Sequence, residues 1–104
     1  MQTQGNLIVM LYDGAIRFIS TAQEAIGKKD YAKEHENIVK AQRIINEFIR
    51  TLNFSAGTVA NQLLSLYEYM LHQLIQANLK KDPEILEEVK DHLTELRSAW
   101  VQIV

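Results

Sequence analysis

The chain has 104 residues, 47% apolar and 23% charged, with a net charge of −2; this suits one folded globular domain with a real core and excludes a disordered chain. There is no cysteine, which excludes disulfides, thiolate metal sites and a cysteine nucleophile. No apolar run reaches the ~18 residues of a membrane span and no basic stripe offers phosphate contacts, so neither direct membrane insertion nor nucleic-acid binding is expected.

One proline and four glycines leave long uninterrupted stretches, and apolar residues fill them with helical spacing. The first predicted helix runs over about residues 6–26. Its stripe is Ile8, Leu11, Ala15, Phe18 and Ala22. The stripe stays in phase across Asp13-Gly14, so that pair reads as helix interior and not as a turn. Gly14 costs such a helix about 1 kcal/mol relative to alanine, and close approach of another backbone is the expected compensation. Thr3 is the expected N-cap. Gly27 is the expected left-handed stop, with Lys28 and Lys29 suiting the negative end of the helix dipole.

Asp30 reads as the cap of a second helix, about 31–52, with the stripe Tyr31, Ile38, Ala41, Ile45, Phe48 and Leu52. "NFSAGT", residues 53–58, is a turn signal. A third helix follows over about 59–80, capped by Thr58. It carries two adjacent stripes: Val59, Leu63, Leu66, Met70, Leu74 and Ala77, beside Leu64, Tyr67, Leu71, Ile75 and Asn78. Asp82 caps the fourth helix, about 84–103, with Pro83 where a missing amide costs nothing. Its seam is Leu86, Val89, Leu93, Leu96, Trp100 and Ile103. Short connections make successive helices antiparallel neighbours. The expected fold class is therefore all-α, an antiparallel up-down four-helix bundle, with residues 1–104 as a single domain.

Bundles that hold two irons use inward Glu-x-x-His pairs. The residues three before His35, His72 and His92 are Ala32, Tyr69 and Val89, so that motif is missing. Glu68/His72 and Glu88/His92 read as ordinary solvated or partly buried pairs. Arg17, Arg43, Arg50 and Arg97 are spread over three helices, the first three off the main stripes. No nucleophile–base pair, phosphate loop or nucleotide fingerprint occurs. No catalytic residue, metal or cofactor is expected, and the chain reads as a non-enzyme.

What the sequence has in excess is apolar surface. Leu7, Ile8, Val9, Met10, Leu11 and Tyr12 are consecutive, with Ile16 and Ile19 outside the stripe. Val39, Ile44 and Ile49 lie beyond that of helix two, and Tyr69 and Leu79 beyond those of helix three. One apolar face is enough to build a bundle. A second face reads as a binding surface, with packing against two neighbours at once as the competing explanation. The residues by themselves thus describe a helical bundle that binds another helix, or itself.

"LIVMLYDGAIRFI", "KAQRIINEFIRTLN", "LLSLYEYMLHQLIQANLKKD" and "LTELRSAW" occur in that order over nearly the whole chain. Together they resemble the bacterial flagellar secretion chaperone family that binds flagellin. The resemblance implies a chaperone of the bacterial cytosol. It implies that the disordered C-terminal region of new flagellin is held as helices in apolar grooves. This would prevent premature polymerisation and keep the subunit fit for type III flagellar export. Other flagellar export components and a homodimer stay open as further partners. The family's usual N-terminal leader, expected to cover part of the cleft, is not matched here. On this resemblance the expected partner-binding residues are Leu7, Met10, Leu11 and Tyr12 on helix one, Ile44 and Phe48 on helix two, and Leu66, Tyr67, Met70 and Asn78 on helix three. Core packing is the rival role for each apolar or aromatic one, most of all for Leu11, Phe48 and Leu66; Asn78 either bonds a partner's backbone or holds the end of helix three, and Trp100 is expected as a lid on the core, with a partner contact as the alternative. The rival function is a self-associating structural or adaptor bundle with no flagellin client.

Overall fold

The computed structural model describes residues 4–103. Four helices follow one another: α1 (Gln4–Gly27), α2 (Tyr31–Arg50), α3 (Thr58–Lys80) and α4 (Pro83–Ile103), with one 3₁₀ turn, Phe54–Ala56, ahead of α3. No strand occurs among the described residues. The expected all-α bundle is the observed one. α1 packs on α2 and α4, and α3 packs on the same two, which closes the four into a square.

The helix ends are set by specific bonds. The Asp30 carboxylate accepts the Lys33 amide at 3.2 Å, which caps α2 as its sequence requires. At the end of α1 the left-handed residue is Lys29, with φ 56, and not Gly27, which remains helical. The Lys29 amide donates to the Ile26 carbonyl at 3.0 Å and the Asp30 amide to the Ala25 carbonyl at 2.9 Å. These bonds turn the chain and satisfy carbonyls that the helix end leaves free. Lys81, φ 53, closes α3 in the same way, with the Asp82 amide on the Ala77 carbonyl at 3.1 Å. Thr58 is the first residue of α3 and not its cap. The cap is Gly57, whose φ of 74 suits a residue without a side chain and leaves no side-chain cap bond. The Asp82 carboxylate accepts the Glu84 amide at 2.9 Å, and Pro83 opens α4. The expected Thr3 cap lies outside the described residues.

The core is a column of fully buried side chains. α1 supplies Tyr12, Ala15, Ile19 and Ala22, and α2 supplies Ile38, Ala41 and Ile45. Met70, Leu74 and Ala77 come from α3, and Leu86, Val89 and Leu93 from α4. Each buried aliphatic side chain of this size contributes roughly 1.5–3 kcal/mol. Two assignments on α1 change. Tyr12 and Ile19 are core, whereas Leu11 is 36% exposed and Phe18 only partly buried. The axis of burial lies one position further along the helix because α1 meets α2 on one side and α4 on the other.

A polar seam runs between α1 and α4. Asp13 pairs with Arg97. Lys90 donates to the side chains of Gln23 at 2.8 Å and Ser20 at 3.4 Å, and Gln23 donates to Glu87 at 3.0 Å. Asp13 thus has a partner within the fold. No backbone of the bundle approaches Gly14. A Cβ placed there would meet only the tip of Ile44, at 3.4 Å.

Candidate functional site

In an up-down bundle the start of α1, the end of α2, the start of α3 and the end of α4 share one end of the molecule. Here that end is open. A cleft of about 490 Å³ is lined by Leu7, Ile8, Leu11 and Tyr12 of α1, Glu47 and Phe48 of α2 with Thr51, Leu52 and Asn53 after it, Val59, Ala60, Leu63 and Tyr67 of α3, and Trp100 of α4. The seam of α4 explains the opening: Leu86, Val89 and Leu93 are buried, Leu96 and Trp100 are half-buried, and Ile103 is 73% exposed. Apolar residues that keep the helical period thus lose their cover toward this end.

The floor of the cleft is aromatic. The Tyr12 and Phe48 rings stack with centroids 4.3 Å apart, and Phe48 stacks on Tyr67 at 5.6 Å. The Tyr12 and Tyr67 hydroxyls hydrogen-bond at 2.7 Å across the bundle. The Trp100 indole stands on the wall of the same cleft. Burial, then the bond to Tyr67, pushes the Tyr12 phenol far above its ordinary range; burial raises Tyr67 as well. Both are neutral at physiological pH. Among the described residues the one charged side chain lining the cleft is Glu47, paired with Arg50. That bond holds the Glu47 carboxyl below the usual carboxylate range.

Ten residues were expected to bind a partner, and the fold brings five of them together here: Leu7, Leu11, Tyr12, Phe48 and Tyr67. Leu7 and Leu11 are exposed at the rim, whereas Tyr12, Phe48 and Tyr67 are floor, at most 6% exposed. Met10 is 53% exposed but lies outside the cleft. Ile44 and Leu66 are partly buried against the core, and Met70 is core outright. Asn78 sits at the other end of the bundle. Its amide meets His35 Nδ1 at 2.9 Å and its carbonyl accepts from Lys81 at 2.8 Å. Lys81 also grips the wholly buried Glu34 carboxylate at 2.6 Å, so Asn78 braces a structural ion pair.

Sequence reasoning missed Ile8, Leu52, Val59, Leu63 and Trp100 as cleft residues because all fall on core stripes. The usable signal was topological: these positions lie at the four chain ends that an up-down bundle gathers together.

At the Glu88/His92 pair, Glu88 accepts bonds from Tyr69 and Gln73, each at 2.8 Å, and His92 packs edge-on against the Tyr69 ring at 6.1 Å. The bonds from Gln73 and Tyr69 lower the Glu88 carboxyl. No group of three metal-ligating side chains occurs among the described residues. No helix among them is long and apolar enough to cross a membrane.

The family model described as flagellar protein FliS matches residues 1–104. The chain belongs to the FliS family. It is 41% identical over 102 residues to the flagellar secretion chaperone FliS of Bacillus subtilis, covering 98% of this chain and 76% of that protein. The FliS of Salmonella typhimurium is 35% identical over 99 residues, 93% of this chain and 73% of the relative. That of Campylobacter jejuni is 31% identical over 104 residues, 99% and 81% respectively. Membership of the FliS family gives the chain an export-chaperone role in flagellar secretion, which is not an enzymatic one.

Proposed function

We propose that the chain binds the disordered C-terminal region of flagellin in the bacterial cytosol and holds it as amphipathic helices, with the apolar cleft between the bundle's open ends as one of the grooves. The client's apolar anchors fill the space between Leu7, Leu11, Leu63 and Trp100, and its own helical hydrogen bonds satisfy its backbone. Folding on binding costs the client conformational entropy, so a large apolar surface is needed to offset it. A client held in this way cannot polymerise early and stays extended enough for export. The observation that carries this reading is the cleft itself: about 490 Å³, mostly apolar in its lining, in a member of a secretion-chaperone family.

The test is co-purification and calorimetry with a flagellin C-terminal segment. Binding at micromolar concentration or tighter is expected. Leu11→Asp puts a charge on the exposed rim of the cleft and should weaken it at least about tenfold without unfolding the bundle. No binding by the unaltered chain would overturn the reading. Strongly exposed Leu79 and Ile103, 74% and 73%, keep a self-associating bundle as the second reading. Light scattering of the free chain separates the two, since a stable dimer that excludes the flagellin segment supports the latter.

A further inference from the structure

The walls of the cleft are held unequally. The α1 wall is fixed: Tyr12 is fully buried, Gly14 is buried beside Ile44, and Asp13 is tied to Arg97 of α4. The start of α3 is held far less. Of residues 58–66 only Ala60 is buried; Val59 is 59% exposed, and Leu63, Leu64 and Leu66 are half-buried. Among the described residues no side chain of this stretch makes a hydrogen bond or ion pair to another helix. The ties of α3 come later: Tyr67 bonds Tyr12, Tyr69 and Gln73 bond Glu88, and Asn78 and Lys81 bond His35 and Glu34. The helix end is also weakly made. Gly57 gives no side-chain cap, and the first turn has no acid to suit the positive end of the dipole. α2 and α4 have both, Asp30 with Glu34 and Asp82 with Glu84. Sparse burial, no cross-ties and an uncapped end put a segment at the low end of local stability.

We propose that residues 53–66, the 3₁₀ turn and the first turns of α3, form a lid on the cleft that opens locally in the free chain and closes on the occupant. This rests on the proposed client reading for the occupant and adds how the cleft is entered. A helix about 10 Å across, with a pitch of about 5.4 Å, fills roughly 400 Å³ per turn, so a cleft of about 490 Å³ holds little more than one turn. Amphipathic helices anchor through residues at i, i+4 and i+7, which span about two turns. One wall must give way to admit them, and the start of α3 is the wall least held. The lid moves against Tyr67, the first residue after Ala60 that is both buried and bonded to another helix. Gly57, at φ 74, gives the backbone freedom between the 3₁₀ turn and the helix.

Hydrogen exchange tests the opening in the free chain. Amides of residues 62–66 should exchange at least about a hundredfold faster than those of 70–77, through openings insensitive to low urea, the mark of local and not global unfolding. Equal protection with the same urea dependence overturns the lid. With a flagellin C-terminal segment at saturation, the 62–66 amides should slow at least about tenfold; an unchanged rate overturns it too. Gln62→Gly tests the gate. Gln62 is exposed and outside the cleft lining, and glycine there favours the unwound state about threefold. A lid that must open for entry and for exit sets both rates. Stopped-flow Trp100 fluorescence should therefore show association and release both faster by about threefold, with the affinity kept within about twofold. An unaltered association rate overturns the proposal and leaves the chaperone reading standing. Failure of the unaltered chain to bind removes the chaperone reading, while exchange in the free chain still decides whether the lid opens.

Discussion

Lys81 carries more than its half-buried position suggests. Among the described residues its ammonium is the single partner of the Glu34 carboxylate, which is fully buried and leaves Oε2 unbonded. Removing one partner of such a pair strands a buried charge, at a cost of about 3 kcal/mol, whereas exchanging both for apolar groups of similar volume is often neutral or better. Lys81→Met should therefore destabilise the bundle by about that amount in urea unfolding, and Glu34→Met/Lys81→Met should recover most of it. The phenols set the alkaline limit. Both Tyr12 and Tyr67 hold their protons above the ordinary value of 10.0. The unfolded chain releases these protons first, so their contribution is complete below about pH 10 and declines above it, by up to about 1.4 kcal/mol per pH unit for each phenol. A stability–pH profile should show that fall, and Tyr12→Phe/Tyr67→Phe should flatten it. Neither effect was legible in the sequence: Glu34 looks like any first-turn acid, and Tyr12 sits among five apolar neighbours that all compete for the core.

The four helices were readable one by one because their period, caps and breakers are local. Asp30 and Pro83 act in the fold as their chemistry demands. The expectations that failed are also local, and instructive. Gly27 was the natural left-handed residue, but the chain turned two residues later at Lys29, where the Ala25 carbonyl accepts the Asp30 amide. Thr58 lost the capping position to Gly57, since only glycine takes that φ without strain. Gly14 belongs to this scale too. Its helix gains nothing from the missing side chain beyond room for the tip of Ile44, and 3.4 Å is an ordinary contact distance. Gly14→Ala should raise stability by up to about 1 kcal/mol in thermal or urea unfolding, the propensity difference between the two residues. A loss would mean that Ile44 has nowhere to go.

At the scale of the molecule the open end of the bundle is the informative feature. The only tryptophan of the chain, Trp100, is half-buried on its wall. Its fluorescence should shift to the blue as a client segment displaces water from the cleft, with a midpoint matching calorimetry. Leu11→Asp should move that midpoint to higher client concentration, while the far-ultraviolet helical signal stays the same. An unchanged emission at saturating client would place the bound segment elsewhere on the bundle. The opposite end is built differently: Glu34, His35, Asn78 and Lys81 tie α2 to α3 with polar bonds. Apolar cover is thus incomplete at one end and replaced by a polar clamp at the other.

By itself the sequence determined helix number, order and approximate ends, the lack of any signature for chemistry, and the resemblance to a flagellar chaperone. The helices and the missing signatures follow from spacing and composition, which neighbours in the chain already fix; the resemblance rests on the four quoted motifs. It also showed an excess of apolar residues. Only the tertiary structure decided where that excess goes. Burial depends on how each helix is rotated between two neighbours, and a rotation of one residue exchanges Leu11 for Tyr12. Whether a stripe residue is core or cleft depends further on how near it lies to the open end of the bundle, which no single helix encodes. "VMLYDGAIRF" is one helix with Tyr12 inward, Leu11 on the rim of the cleft and Asp13 held by Arg97. Those three fates belong to the packing of α1 against α2 and α4.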